Sequence, residues 1–188
     1  MTLGLCACGG EPANDKNQVQ KPSSAPAQTQ PVETLPAVSL GDVDMARTAG
    51  SFALGQEHAV AILSDGSVIA AGNNDYNQCD VYDWTDLVQV DAGINFTVGL
   101  KSDATPVAIG LNNNGQCDIS AWENIVSVCA GGAHTVGLRS DGTAVAVGRA
   151  KEGQCDVAGW TEIAQIDAGS RHTVGLKTDG TVVAAGQN

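Results

Sequence analysis

From residue 51 onward, short apolar runs of strand length are broken by polar and glycine-containing segments, and the unit they form contains no helical pattern. Ile125-Val126-Ser127-Val128 alternates at the period of a strand, and Thr135-Val136-Gly137-Leu138 follows after a short glycine turn. Asp141-Gly142 then predicts a tight two-residue reversal into Thr143-Ala144-Val145-Ala146-Val147, because Asp-Gly readily supplies positive φ. A fourth short strand is expected at Cys155-Asp156-Val157. The run 143–147 has no polar face, which predicts a strand covered on both sides. Gly99, Gly137 and Gly175 fall mid-strand, where a missing side chain lets another backbone come close.

The pattern repeats without insertion every 38 residues from residue 41. Gln78-Cys79-Asp80, Gln116-Cys117-Asp118 and Gln154-Cys155-Asp156 coincide, as do Trp84, Trp122 and Trp160. His58, Phe96, His134 and His172 share one position, and Asp65, Asp103, Asp141 and Asp179 another. Four antiparallel strands in so short a unit describe one blade of a β-propeller. The expected fold is therefore all-β, a propeller of four-stranded blades at about 51–88, 89–126, 127–164 and an incomplete 165–188, within a repeat region of 38–188. The second unit reads Asp103-Ala104-Thr105-Pro106 where the others have Asp-Gly. Alanine tolerates positive φ poorly and proline removes a ladder donor, so a looser hairpin is expected there.

Composition adds an address. Leu5-Cys6-Ala7-Cys8 resembles a bacterial lipobox in residues 1–8, with Cys8 as the lipid-attachment site because the small Ala7 precedes it. Met1 to Ala7 has no basic residue, so the signal looks clipped. Residues 9–37 hold five of the six prolines among Ser, Gln and Ala. Such a tether reaches roughly 30 Å as a coil and about 90 Å when extended. The expected location is outside the cell membrane, lipid-anchored, or secreted if the lipobox is not used. No run approaches the roughly 18 apolar residues of a spanning helix, so any membrane link is expected to be covalent. A formal charge of −12 without a basic patch argues against nucleic acid as a partner.

The stretch Gly131-Gly132-Ala133-His134-Thr135-Val136-Gly137-Leu138, continuing to Asp141-Gly142 and Gln154-Cys155-Asp156-Val157, resembles the bacterial branch of the regulator-of-chromosome-condensation repeat family. The WD-repeat propeller does not fit, since Glu123 and Thr161 follow Trp122 and Trp160. The resemblance implies a seven-bladed ring, whereas the chain holds slightly under four units. Two readings stand, a fragment of a longer ring or a small closed one in which Gly41-Asp42-Val43 supplies the missing fourth strand. Nuclear members exchange guanine nucleotides through an extra wedge. No unit here has an insertion to form one.

Candidate chemistry narrows to one set of loops. G-x-S-x-G, H-E-x-x-H, phosphate-loop and EF-hand patterns are absent, so neither catalysis nor a cofactor is expected. Phenylalanine at position 96 argues against a histidine metal ring, and cysteines spaced by 38 do not resemble a zinc site. The segments 73–77, 111–115 and 149–153 keep their length while their chemistry changes. Loops on a rigid frame are the usual place for recognition. Asn74, Asp75, Tyr76, Asn112, Asn113, Arg149, Lys151 and Glu152 are accordingly the candidate binding residues, for an unknown protein or envelope ligand. An exported lyase or hydrolase completed by further blades, and a purely structural spacer, are the alternatives.

Overall fold

A computed structural model describes residues 52–187; Cys8 and the tether expected over 9–37 lie outside them. Every regular element among the described residues is a strand. The first blade comprises β1 (Phe52–Leu54), β2 (His58–Ile62) and β3 (Val68–Gly72). The second holds β4 (Leu87–Ala92), β5 (Phe96–Lys101) and β6 (Pro106–Gly110). The third has β7 (Ile125–Ala130), β8 (His134–Arg139) and β9 (Ala144–Gly148), and the fourth β10 (Ile163–Ala168), β11 (His172–Lys177) and β12 (Val182–Gly186). Each blade is an antiparallel meander with its second strand in the middle. The register repeats as well. Leu87 pairs with Lys101 but Gln89 with Leu100, a bulge at Val88 that recurs at Val126 and Ala164.

The segment expected as a fourth strand is instead a series of turns. The Asp156 amide donates to the Gly153 carbonyl, Val157 to Cys155, and Trp160 to Val157, at 2.8–2.9 Å. These bonds point along the chain, so no ladder forms, while Val81, Ile119 and Val157 drop into the core with at most 2% exposure. The hairpins differ from expectation too. Arg139 and Thr143 bracket a three-residue loop, Ser140-Asp141-Gly142, in which only Gly142 takes positive φ (79°). Asp141 closes it by accepting the Thr143 amide and hydroxyl at 2.9 and 2.7 Å. This is a type I turn followed by a left-handed bulge residue.

The second blade forms the same loop. Lys101 donates to the Thr105 carbonyl at 2.9 Å and Ala104 to the Lys101 carbonyl at 3.0 Å, so the hairpin is not looser. Its cost appears as strain instead, with Ala104 held at φ 68°.

Consecutive blades bury their faces against each other. One core joins Val60 and Val68 of the first blade to Leu87, Val90 and Ala92 of the second. Another joins Phe96, Val98 and Leu100 to Ile125, Val128 and Ala130 of the third. The middle strands β5 and β8 are buried over five consecutive residues. By contrast, β9 is buried only at Ala144 and half-buried beyond it, so the run 143–147 is not covered on both sides as expected. It is the outer strand of its sheet. The mid-strand glycines admit side chains, not backbone: indoles at Gly137 and Gly175, and Leu87 together with Trp84 at Gly99. A Cβ on Gly137 would lie 2.7 Å from the Trp122 ring, and one on Gly175 2.8 Å from Trp160. This accounts for one tryptophan per repeat.

Candidate functional site

The loops that follow β3, β6 and β9 occupy equivalent positions in stacked blades and emerge at one edge of the stack. A buried glutamine fixes each from below. The side-chain oxygens of Gln78, Gln116 and Gln154 accept the amides of Tyr76, Asn114 and Glu152 at 2.9–3.0 Å. Asn77, Gly115 and Gly153 then turn the chain with φ of 65–81°. The thiols of Cys79, Cys117 and Cys155 donate to the carbonyls of Asn73, Leu111 and Arg149 at 3.3–3.6 Å. Burial, with a neighbouring aspartate, pushes the Cys117 and Cys155 thiols up to about 11. A thiol held protonated is a weak nucleophile, so these cysteines act as loop struts.

Within that frame the candidate residues divide into two groups. Asn74 donates to Asp80 at 2.8 Å and accepts the Cys79 amide at 2.8 Å. Asn112 makes the same pair of bonds with Asp118 and Cys117. Ala150 cannot, and there Arg149 pairs with Glu152 instead, its Nε 3.0 Å from the carboxylate. Asn74, Asn112, Arg149 and Glu152 thus hold loop shape. Asp75, Asn113 and Lys151, at equivalent positions, are exposed, as is Tyr76. Asp75 receives one bond from the Asn73 amide at 3.2 Å. Tyr76, Asn113 and Lys151 form no side-chain hydrogen bond among the described residues. The edge therefore presents an acid, an amide and a base in succession, with an aromatic beside the acid.

Two of the three recurring histidines, His58 and His134, are buried between blades, while His172 is exposed. The Thr97 hydroxyl donates its single proton to the Gln78 carbonyl at 2.7 Å, so the 2.9 Å contact to His58 requires the imidazole Nε2–H to donate. His134, Thr173 and Gln154 repeat the arrangement at 2.9 and 2.7 Å. Burial lowers the imidazolium affinity of His58. For His134, burial together with the charge of His172 brings it down to about 4. Both are neutral donors at pH 7. Where Phe96 replaces histidine, Thr135 still donates to the Gln116 carbonyl at 2.6 Å. No cluster of three or more His, Cys, Asp or Glu among the described residues is arranged to hold a metal.

Sequence reasoning missed two residues that join the second blade to the third. The Gln89 side chain donates to the Val128 carbonyl at 2.9 Å and accepts the Val128 amide at 3.0 Å. Asp91 accepts the Ala92 amide with one oxygen and the Ala130 amide with the other, both at 2.8 Å. Burial raises the Asp91 carboxyl above its ordinary range even so. Gln165 and Asp167 repeat them in the fourth blade, but Ser127 and Cys129 stand at these positions in the third.

Comparison with known proteins bears on this stacked, loop-presenting architecture. Three stretches, 51–78, 125–154 and 163–188, match the regulator of chromosome condensation (RCC1) repeat. The fold is that of an RCC1-type propeller. The second blade, with Phe96, Ala104 and Pro106, falls outside the matched stretches. Among solved structures, yeast RCC1 (Prp20) bound to Kap60 is 22% identical over 72% of this chain and 43% of its own, with a TM-score of 0.63. The ectodomain of the Physcomitrella patens receptor kinase CR4 is 24% identical over 72% and 40%, with a TM-score of 0.61. Human WBSCR16 is 17% identical over 73% and 48%, at 0.63. The chain thus spans less than half the length of these RCC1-like structures. No curated protein matches it in sequence.

Proposed function

We propose that this chain is a non-catalytic recognition module, whose RCC1-like blades carry a contact row at the loops after β3, β6 and β9. The observation that carries this reading is the division within those loops. Asn74, Asn112, Arg149 and Glu152 are used to fix the backbone, which leaves Asp75, Tyr76, Asn113 and Lys151 pointing outward on a frame that does not need them. A row running from acid through amide to base suits an elongated partner of opposite polarity, such as an extended peptide with a basic end near Asp75 and an acidic end near Lys151. Tyr76 adds apolar area at small entropic cost. Yeast RCC1 has been solved bound to Kap60, which agrees with recognition of protein, though its partner is its own. Cys8 would hold the module outside the membrane through a lipid, with residues 9–37 as spacer.

Site-specific photocrosslinking in a bacterial host tests the reading. A crosslinker in place of Lys151 should capture a discrete partner, and one in place of Asp141, on the hairpins at the other end of the strands, should not. Capture from position 141 alone would move the site to the hairpin edge.

A further inference from the structure

We infer that Asn114 is a modification site, whose side-chain amide is converted to a carboxylate through attack by the backbone nitrogen of Gly115. Asparagine is a thermolabile residue, and a glycine after it leaves the attacking nitrogen without a side chain alongside. Asn114-Gly115 is the single Asn-Gly pair in the sequence. The equivalent loops separate the two features. Glu152 precedes Gly153 with a longer side chain, and in the first blade Asn77 takes the glycine position behind Tyr76. Three Asp-Gly pairs could close the same imide ring, but the structure ties each of them down. Asp65, Asp141 and Asp179 accept the amides and hydroxyls of Ser67, Thr143 and Thr181 at 2.6–2.9 Å, bonds that also hold their carboxyls below the ordinary range. Asn114 is exposed, and although Gln116 fixes its backbone amide, its side chain forms no hydrogen bond among the described residues.

The surroundings of Gly115 leave room for the ring. A Cβ on Gly115 would meet nothing within 4 Å but the Asp118 carboxylate. One backbone bond must open first, from the Gly115 amide to the Asn112 carbonyl at 3.1 Å. The Gly115 nitrogen then bonds to the Asn114 side-chain carbonyl carbon, the carbon–nitrogen bond of the side-chain amide breaks, and ammonia leaves with the Gly115 proton. Water opens the resulting succinimide at either carbonyl, which leaves aspartate or isoaspartate and needs no oxidant. Glu152, at the equivalent position, has Arg149 to pair with, whereas Leu111 offers the new carboxylate no cation. The charge therefore stays unpaired at the loop surface. On the recognition reading, on which this consequence rests, the acid end of the contact row extends from Asp75 into the second blade.

Peptide mapping by mass spectrometry tests this on the full chain, incubated folded at mildly alkaline pH in water enriched in heavy oxygen. Aspartate and isoaspartate carrying the label should accumulate at position 114 ahead of every other asparagine in residues 52–187. Asn114→Gln, which keeps an amide but cannot close a five-membered ring, should lose the reaction. Conversion in the urea-unfolded chain with none in the folded chain would overturn the inference, because the bond from Gly115 to Asn112 would then hold the nitrogen away. So would conversion led by another asparagine, or isoaspartate appearing at Asp65, Asp141 or Asp179 before position 114. The measurement needs no partner, so its failure leaves the recognition reading untouched, and failure to capture a partner from Lys151 leaves the modification standing.

Discussion

The interface between the second and third blades and the one between the third and fourth do the same work with different chemistry. The first uses an apolar ring at Phe96 and satisfies the facing backbone through Gln89 and Asp91. The second puts His134 in the ring's place and a hydrogen bond to Thr173, while Ser127 and Cys129 leave the backbone alone. Thr135 and Thr173 are equally buried and equally bonded to the preceding glutamine carbonyl. The threonine is thus the fixed element, and what approaches it can vary. A residue repeated in every blade reports the frame, and one repeated in only some blades can still hold blades together.

The comparison is broken most severely at Asp91. Asp91→Ala leaves the Ala130 amide buried without a partner, and a loss of roughly 2–3 kcal/mol is expected in chemical denaturation. Cys129→Ala, at the matching position of the next interface, should lose about 1 kcal/mol or less, since it removes only a small buried side chain. An equal loss at both sites would mean that Asp91 contributes no more than its packing.

A pH titration of stability sharpens the contrast. His134 sits at about 4 in the folded chain against an ordinary 6.5, so the unfolded chain takes up the proton first. Its contribution is whole above pH 6.5 and is lost as the pH falls from there toward 4. The His134→Phe variant should show a shallower decline than the parent across that window, with the difference closing above pH 7. Parallel curves would place His134 in contact with solvent.

Ala104→Gly should raise stability by about 1 kcal/mol, because glycine adopts the left-handed conformation without strain and the hairpin bonds are already in place. The smallest effect is expected for His134→Phe at neutral pH. Phe96 shows that the ring fits and Thr173 keeps its carbonyl partner, so a change within about 1 kcal/mol is expected in thermal melts.

Much of this molecule was legible as period. Strands, hairpins and the stacking of blades follow from apolar runs that return every 38 residues, and Asp-Gly located three of the four reversals. The segment Cys155-Asp156-Val157 reads as a strand but turns, because the amides of Asp156 and Val157 bond back along the chain to Gly153 and Cys155. The mid-strand glycines announced a close approach without saying that a side chain makes it. Gln89 and Asp91 stayed hidden because a side chain bonding a neighbour's backbone leaves no mark on the neighbour's sequence. Within the candidate loops, variation between blades found the right segments. It could not separate Asn74 and Asn112, which are spent on Asp80 and Asp118, from Asn113 and Lys151.

That one buried threonine is met by interchangeable partners from the preceding blade rests on His58 and His134 being fixed interblade donors. Nitrogen-detected NMR of the imidazoles during an acid titration measures that directly. Both imidazoles should carry their neutral-state proton on Nε2, His58 should titrate below its ordinary value, and His134 should titrate near 4. A His134 midpoint at or above 6.5, or a proton on Nδ1, would contradict it.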